Sequence, residues 1–461
     1  MNPPPIPDSS ASRNAWLLPV GVGLAVLVGL LIGGWIGPDI DVWYGVGFVR
    51  ALRERPLTPE SLGHVPKLGH LLALAPAVAF GATPERYLAA MGIVACGGLM
   101  WAHARWAAAS NLPAARLVAL LFMIPLVWRA TLDGGSVAWG WALVLVALQR
   151  PRTMPVVWCL AAAALFRPEI VGVGLALGAL RLWRGDRSWW RVILAPLAAG
   201  LAGTAVVDWL WTGRLGASSI AHAIFESATL EQVRGRWGFL DTGHAWSHFG
   251  IPIIVLAAIG AGFELFGRSA ERAEVRSAEP MVELLAAALG FSLVTIANVA
   301  TGGTLFVRFL LPWASVIAAS ACLFPLGRVP WRRFMVWAAL LVTMLPGWLA
   351  TAPEFLGTYP SGPAMLLARQ LARQTAPELT VAMDAGVRAV SLGSGARPWK
   401  TTPWVLESSE TACRSQVIVA RGAFLRRIGP TLERCGPWKA FIMDSLQTRV
   451  DLQVLLARRG P

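Results

Sequence analysis

The sequence predicts an all-α polytopic membrane protein of about eleven transmembrane helices, followed by a small C-terminal α/β domain outside the membrane. Three observations predict it. Of 461 residues, 56% are hydrophobic and only 14% charged, with a mean hydropathy of +0.57. A soluble chain carries about a quarter charged residues. Apolar runs of roughly 15 to 22 residues recur, the length a helix needs to cross hydrocarbon about 30 Å thick. After residue 350 those runs stop, and short apolar segments alternate with Gly, Pro and Ser turn signals. The ~10-residue alternation of a membrane β-barrel is absent.

The first span is 16–36, preceded by a Pro-rich polar stretch and Arg13. It is longer than a signal-peptide core and is expected to be retained. The further spans are 87–104, 114–130, 136–149, 153–166, 170–183, 190–211, 250–267, 281–299, 306–324 and 333–350. The fourth to sixth are short, consistent with tilting or breaks. Residues 68–80 form an apolar run too short to span and suit an interfacial or re-entrant segment of an outer loop, 37–86. In the C-terminal domain, 351–461, a helix is expected over 364–372. Strands are expected over 379–383, 389–392, 417–420 and 440–444.

The net charge of +14 and pI near 10.9 do not indicate nucleic-acid binding. The cations are nearly all Arg and cluster in short loops, around Arg105 and Arg116, Arg150 and Arg152, Arg181 to Arg191, Arg268 to Arg276, and Arg328 to Arg333. That pattern orients a polytopic protein with those loops inside. Arg50, Arg53, Arg55 and Arg86 run against it, in a long loop where the rule is weaker. Cys96, Cys159 and Cys322 lie in apolar helices and suit packing. Cys413 and Cys435 lie in the C-terminal domain, either as a disulfide or as two separate thiols.

The candidate site residues are charges near the outer ends of helices. Asp39 and Asp41 follow the first span and face one way if the segment is extended. They are read either as a base for an acceptor hydroxyl or as helix-end caps. Trp43, Tyr44 and Phe48 follow, suiting an interfacial helix. His64, Lys67 and His70 surround Pro66, as a polar site or a solvated turn. Arg129 and Asp133 flank the outer end of the third span, as a ligand pair or a local salt bridge. Arg167 and Glu169 flank Pro168. Arg308 is a single cation within apolar sequence, suited to a lipid-linked phosphate or to snorkelling. The loop 212–250 holds His222, His244 and His248 among several acids and arginines, without the HExxH spacing of a zinc protease. GxSxG and P-loop motifs are both missing from the sequence.

Taken in order, these segments resemble the GT-C superfamily of membrane glycosyltransferases, in particular bacterial mannosyltransferase- and arabinosyltransferase-like members. The resemblance is carried by Asp39-Ile-Asp41, by His64-Val-Pro-Lys-Leu-Gly69, and by Arg129 to Asp133. Leu165-Phe-Arg-Pro-Glu169, Trp211-Thr-Gly-Arg-Leu215 and Arg308-Phe-Leu-Leu-Pro312 complete it. It departs from the family pattern at Val65, where Pro or Lys is usual, and at Arg214, where Asp is common. The resemblance implies an inverting hexosyl- or pentosyltransferase in a bacterial inner (plasma) membrane. It would use a polyprenyl-phosphate-linked sugar on the outer face, with a glycan, lipid or protein as acceptor. Asp39 or Asp41 would be catalytic. Arg308, Arg167, Glu169, Lys67 and His64 would bind the donor, with Arg129 and Asp133 on a second outer loop. A divalent metal serves some branches of the family and not others. The rival reading of the same charges is a transporter or flippase for a lipid-linked or polar substrate.

Overall fold

Hydrocarbon offers no partner to a backbone N–H or C=O, so a chain this apolar has to satisfy those groups inside helices. The computed structural model describes residues 40–51, 67–79, 84–132, 135–149, 153–217, 250–267, 278–300, 307–324, 334–346, 381–383, 404–405, 417–421, 438–443 and 452–457. Its helices are α1 (Ile40–Ala51), α2 (Leu68–Ala79), α3 (Pro84–Ala109), α4 (Ala114–Met123), α5 (Pro125–Leu132), α6 (Ser136–Leu148) and α7 (Thr153–Phe166). They continue as α8 (Ile170–Trp183), α9 (Trp189–Thr212), α10 (Ile251–Gly267), α11 (Ala278–Ala300), α12 (Leu311–Cys322) and α13 (Phe334–Pro346). A 3-10 turn, Val307–Leu310, leads into α12. The expected span at 16–36, most of the loop 212–250, the helix at 364–372, and Cys413 and Cys435 lie outside the described residues.

Most expected spans coincide with a helix to within a few residues, but one expectation is corrected. The span 114–130 is two helices, because Ile124 takes φ −85 and ψ 111, out of the helical region. Pro125 causes this, since its ring clashes with a helical residue before it. The Trp128 indole N–H donates to the Phe122 carbonyl at 2.7 Å, giving a polar group beside the break a partner. Of the acid pair, Asp41 is in α1; Asp39 lies outside the described residues. Among the described helices, those long and apolar enough to cross a membrane are Trp189–Thr212 and Glu279–Asn298. Helices such as α6 to α8, of 13 or 14 residues, rise only about 20 Å.

The chain forms two compact units: residues 1–29, 56–70 and 92–352, and residues 30–55, 71–91 and 353–461. In the second, Gly45 of α1 meets Leu74 of α2, and the Tyr87 hydroxyl donates to the Ala73 carbonyl at 2.6 Å. The same unit holds a five-stranded sheet in the order β2-β1-β3-β5-β4. The strands are β1 (Val381–Met383), β2 (Trp404–Val405), β3 (Val417–Arg421), β4 (Trp438–Met443) and β5 (Leu452–Ala457). β1 runs parallel to β2 and β3, and β5 runs antiparallel to β3 and β4. β1, β3 and β4 fall where strands were expected. β2 and β5 were not anticipated, and 389–392 lies outside the described residues.

The first unit is a helix bundle. Its core includes Leu99, Trp106, Leu117, Trp141, Phe291 and Leu311. Leu201, Trp209, Leu293 and Ile296 on the two longest apolar helices are exposed, the pattern of helices whose outer faces meet lipid. α8 and α11 cross at Gly172 and Gly290 so closely that a Cβ on either would strike the other's carbonyl. A buried polar cluster joins α3, α6 and α12. His103 Nδ1 donates to the Leu99 carbonyl at 2.9 Å, and Nε2 lies 2.8 Å from the Ser315 hydroxyl. Ser315 Oγ also accepts the Trp141 indole N–H at 2.8 Å.

At the ends of α8 and α12, the loop arginines are tied down. Arg184 pairs with Glu279 and Glu283 at 2.8 Å each, and Arg181 with Asp186 at 3.4 Å. The Ser188 hydroxyl and backbone N–H both donate to Asp186 and, with Arg181, hold its carboxyl below the ordinary range. Arg116 donates to the carbonyls of Ala321 and Phe324, at 3.2 and 2.7 Å, at the end of α12.

Candidate functional site

The turn Arg167-Pro168-Glu169 links α7 to α8 at the other end of the bundle from those loop arginines. Pro168 has no N–H to continue α7 and restricts the residue before it. The backbone stays paired through the turn: Arg167 N–H donates to Ala163, and the Arg167 and Glu169 carbonyls accept from Ile170 and Gly172. Both charged side chains are nevertheless buried, at 3% and 6% exposure. The Arg167 Nη1 lies 3.7 Å from Glu169 Oε1, an ion pair longer than a hydrogen bond. Arg167 Nε and Glu169 Oε2 have no hydrogen-bond partner among the described residues. Idle donors and acceptors on buried charges are costly unless something else engages them, and they mark the turn as a place for a polar ligand.

Two further segments bring charge or backbone to the same place. Arg308, 6% exposed, sits on the 3-10 turn before α12. Its neighbour Phe309 supplies a ring that both arginines approach: Arg167 Cζ is 4.9 Å and Arg308 Cζ 6.0 Å from the ring centre. α5, which carries Arg129, packs against this turn; Asp133 lies outside the described residues. Gly140 of α6 leaves room for the Arg167 stem, its Cβ position lying 3.5 and 3.6 Å from Arg167 Cβ and Cγ.

The start of α2 reaches the turn as well. A Cβ on Gly69 would come within 3.0 Å of Leu165 and Phe166, while Leu68 and Leu165 both flank Gly203 of α9. Lys67-Leu68-Gly69 therefore lies beside Leu165-Phe166-Arg167, two motifs almost a hundred residues apart in sequence. Lys67 is half-buried and His70 buried; His64 lies outside the described residues. Asp41 belongs to the second compact unit. The sequence reading passed over Asp208, a buried carboxylate in α9. Its signal was available, as an acid within an apolar 24-residue helix. No group of three or more His, Cys, Asp or Glu that could hold a metal occurs among the described residues. Two guanidinium groups and one carboxylate around a ring suit an anion.

No protein-family model matches this chain, and no curated protein matches it. Among solved structures, ArnT from Cupriavidus metallidurans bound to undecaprenyl phosphate is similar over 97% of this chain and 99% of its own, with a TM-score of 0.52 and 14% identity. The fold resembles that of this ArnT. The apo structure of the same ArnT aligns over 98% and 100% of the two chains, with a TM-score of 0.34 and 14% identity. The alignment to the lipid-bound structure runs through both compact units.

Proposed function

We propose that this chain is a membrane glycosyltransferase that moves a sugar from a polyprenyl-phosphate donor to an envelope glycan, lipid or protein acceptor. One observation carries the reading. Arg167 and Arg308, both buried, meet at Phe309, and Glu169 pairs with Arg167. The likeness in fold to an ArnT structure bound to undecaprenyl phosphate supports it.

In this reading the acceptor hydroxyl attacks the anomeric carbon, the bond from that carbon to the phosphate oxygen breaks, and polyprenyl phosphate leaves with the electron pair. The anomeric centre inverts. The hydroxyl proton passes to Asp39 or Asp41. Arg308 and Arg167 hold the phosphate as its charge grows, Glu169 orients Arg167, and Lys67 and His64 complete the donor site. Arg129 and Asp133 border it. Guanidinium suits this task because it stays charged and presents a planar fork of donors to phosphate oxygens. Positioning and charge stabilisation supply most of the acceleration, since polyprenyl phosphate is a good leaving group. The reaction takes place on the outer face of a bacterial inner membrane, where residues 351–461 also reside.

The test uses purified protein and a synthetic polyprenyl-phosphate sugar. Asp39→Asn or Asp41→Asn reduces transfer by ~10²-fold or more with donor binding near normal. Arg308→Gln chiefly weakens donor binding. Full activity in both Asp variants rejects the assigned mechanism.

A further inference from the structure

We propose that Glu169 is a sugar-reading residue of the donor site, with Oε1 turned to Arg167 and Oε2 accepting a hydrogen bond from a hydroxyl of the transferred sugar. The inference rests on the polyprenyl-phosphate reading above, and gives that site a group for the sugar as well as groups for the phosphate.

An ion pair that serves only to join helices closes to hydrogen-bond distance. Arg184 does so with Glu279 and Glu283, at 2.8 Å each. Arg167 and Glu169 are more deeply buried, yet Nη1 stays 3.7 Å from Oε1. Charges taken out of water need their remaining N–H groups and lone pairs engaged as well. Here the Arg167 Nε and the Glu169 Oε2 have no hydrogen-bond partner among the described residues. A third idle group belongs to the same neighbourhood. The buried Trp139 indole N–H also lacks a partner among the described residues, and its ring stacks on Phe166, the residue before Arg167.

The idle groups are therefore two N–H donors and one carboxylate oxygen. A phosphate alone does not suit that set, because its oxygens only accept and a carboxylate repels them. A hydroxyl does suit it. It donates one hydrogen, which Oε2 can take, and keeps lone pairs that an N–H can fill. In a polyprenyl-phosphate sugar the anomeric carbon is bonded directly to a phosphate oxygen, so a turn of three residues can touch both parts. The acceptor is also well placed to discriminate. The Glu169 carbonyl accepts the Gly172 N–H at 3.0 Å, and the Arg167 carbonyl accepts the Ile170 N–H at 3.1 Å, which fixes the backbone on which both side chains stand. A carboxylate cannot donate, so a sugar lacking the matching hydroxyl leaves Oε2 buried and unpaired.

The experiment measures binding to the purified full-length protein of undecaprenyl phosphate and of its glucose, mannose, galactose and arabinose conjugates. Monodeoxy forms of the tightest conjugate follow. Wild type is expected to bind one conjugate more tightly than the bare lipid, and to bind one monodeoxy form about tenfold more weakly than its parent. Glu169→Gln is expected to bind the bare lipid within about twofold of wild type, to bind the parent conjugate about tenfold more weakly, and to treat parent and monodeoxy forms alike. Glu169→Asp, which keeps the charge and draws the oxygens back by one carbon, is the second variant and should lose the same discrimination. Variants that weaken bare and conjugated lipid by one factor would show that Glu169 acts only through Arg167, and would overturn this inference alone. A wild type indifferent to every deoxygenation does the same. A wild type that binds neither the bare lipid nor any conjugate overturns the inference together with the reading beneath it.

Discussion

Ser315 shows how much a single hydroxyl can hold in this bundle. It meets the His103 ring and the Trp141 indole at 2.8 Å each, and all three residues are buried. Ser315→Ala leaves two polar ring nitrogens facing an apolar side chain, at a cost of about 1–3 kcal/mol for each group left unsatisfied. Thermal unfolding in detergent should show a melting temperature several degrees lower, and an unchanged midpoint would reject the role given to the hydroxyl. Arg167, Glu169 and Arg308 were legible from sequence because a charge within apolar residues has to be explained. Phe309, Gly140 and Ser315 were not. Nothing in a linear pattern distinguishes an aromatic ring that faces a cation from one that packs among leucines, or a serine that bridges three helices from one that bonds its own helix.

Helices were the most readable elements, since hydropathy marks their middles and Pro, Gly and Arg mark their ends. The break at Ile124 was missed although Pro125 was in view, because a proline in an apolar run is compatible with a kinked but continuous helix. The structure separates α4 from α5 and covers the Phe122 carbonyl with the Trp128 indole. Trp128→Phe keeps the ring and removes that donor. Its expected cost is about 1–2 kcal/mol, read as faster proteolysis or lower thermal stability in micelles. Stability equal to wild type would mean that water or another group serves the carbonyl. β5 escaped notice for a different reason. Leu452-Gln-Val-Leu-Leu-Ala457 is a nearly unbroken apolar run, whose period does not tell a central strand from a helix. It pairs with β3 on one side and β4 on the other.

The arrangement of charge across the whole molecule predicts its orientation. The paired loop arginines at the ends of α8 and α12 lie opposite the Arg167 and Arg308 end. With the Arg-rich loops inside, residues 351–461 are expected outside. A reporter fused at the C-terminus and active only in exported compartments is the expected result. Activity confined to the cytoplasm would put the arginine pair on the wrong face for an exported acceptor. The grouping of residues 30–55 and 71–91 with 353–461 in one compact unit was not legible, because hydropathy assigns a segment to the membrane without saying which neighbours it joins.

Arg116 does more than its two hydrogen bonds suggest. It binds carbonyls at the end of α12. The aligned peptides of α12 place about half a positive charge at its start and half a negative charge at its end. The Arg116 cation rests against the negative end, so the last turn of α12 is held by charge as well as by hydrogen bonds, and Arg116→Gln would keep a donor there while removing that charge.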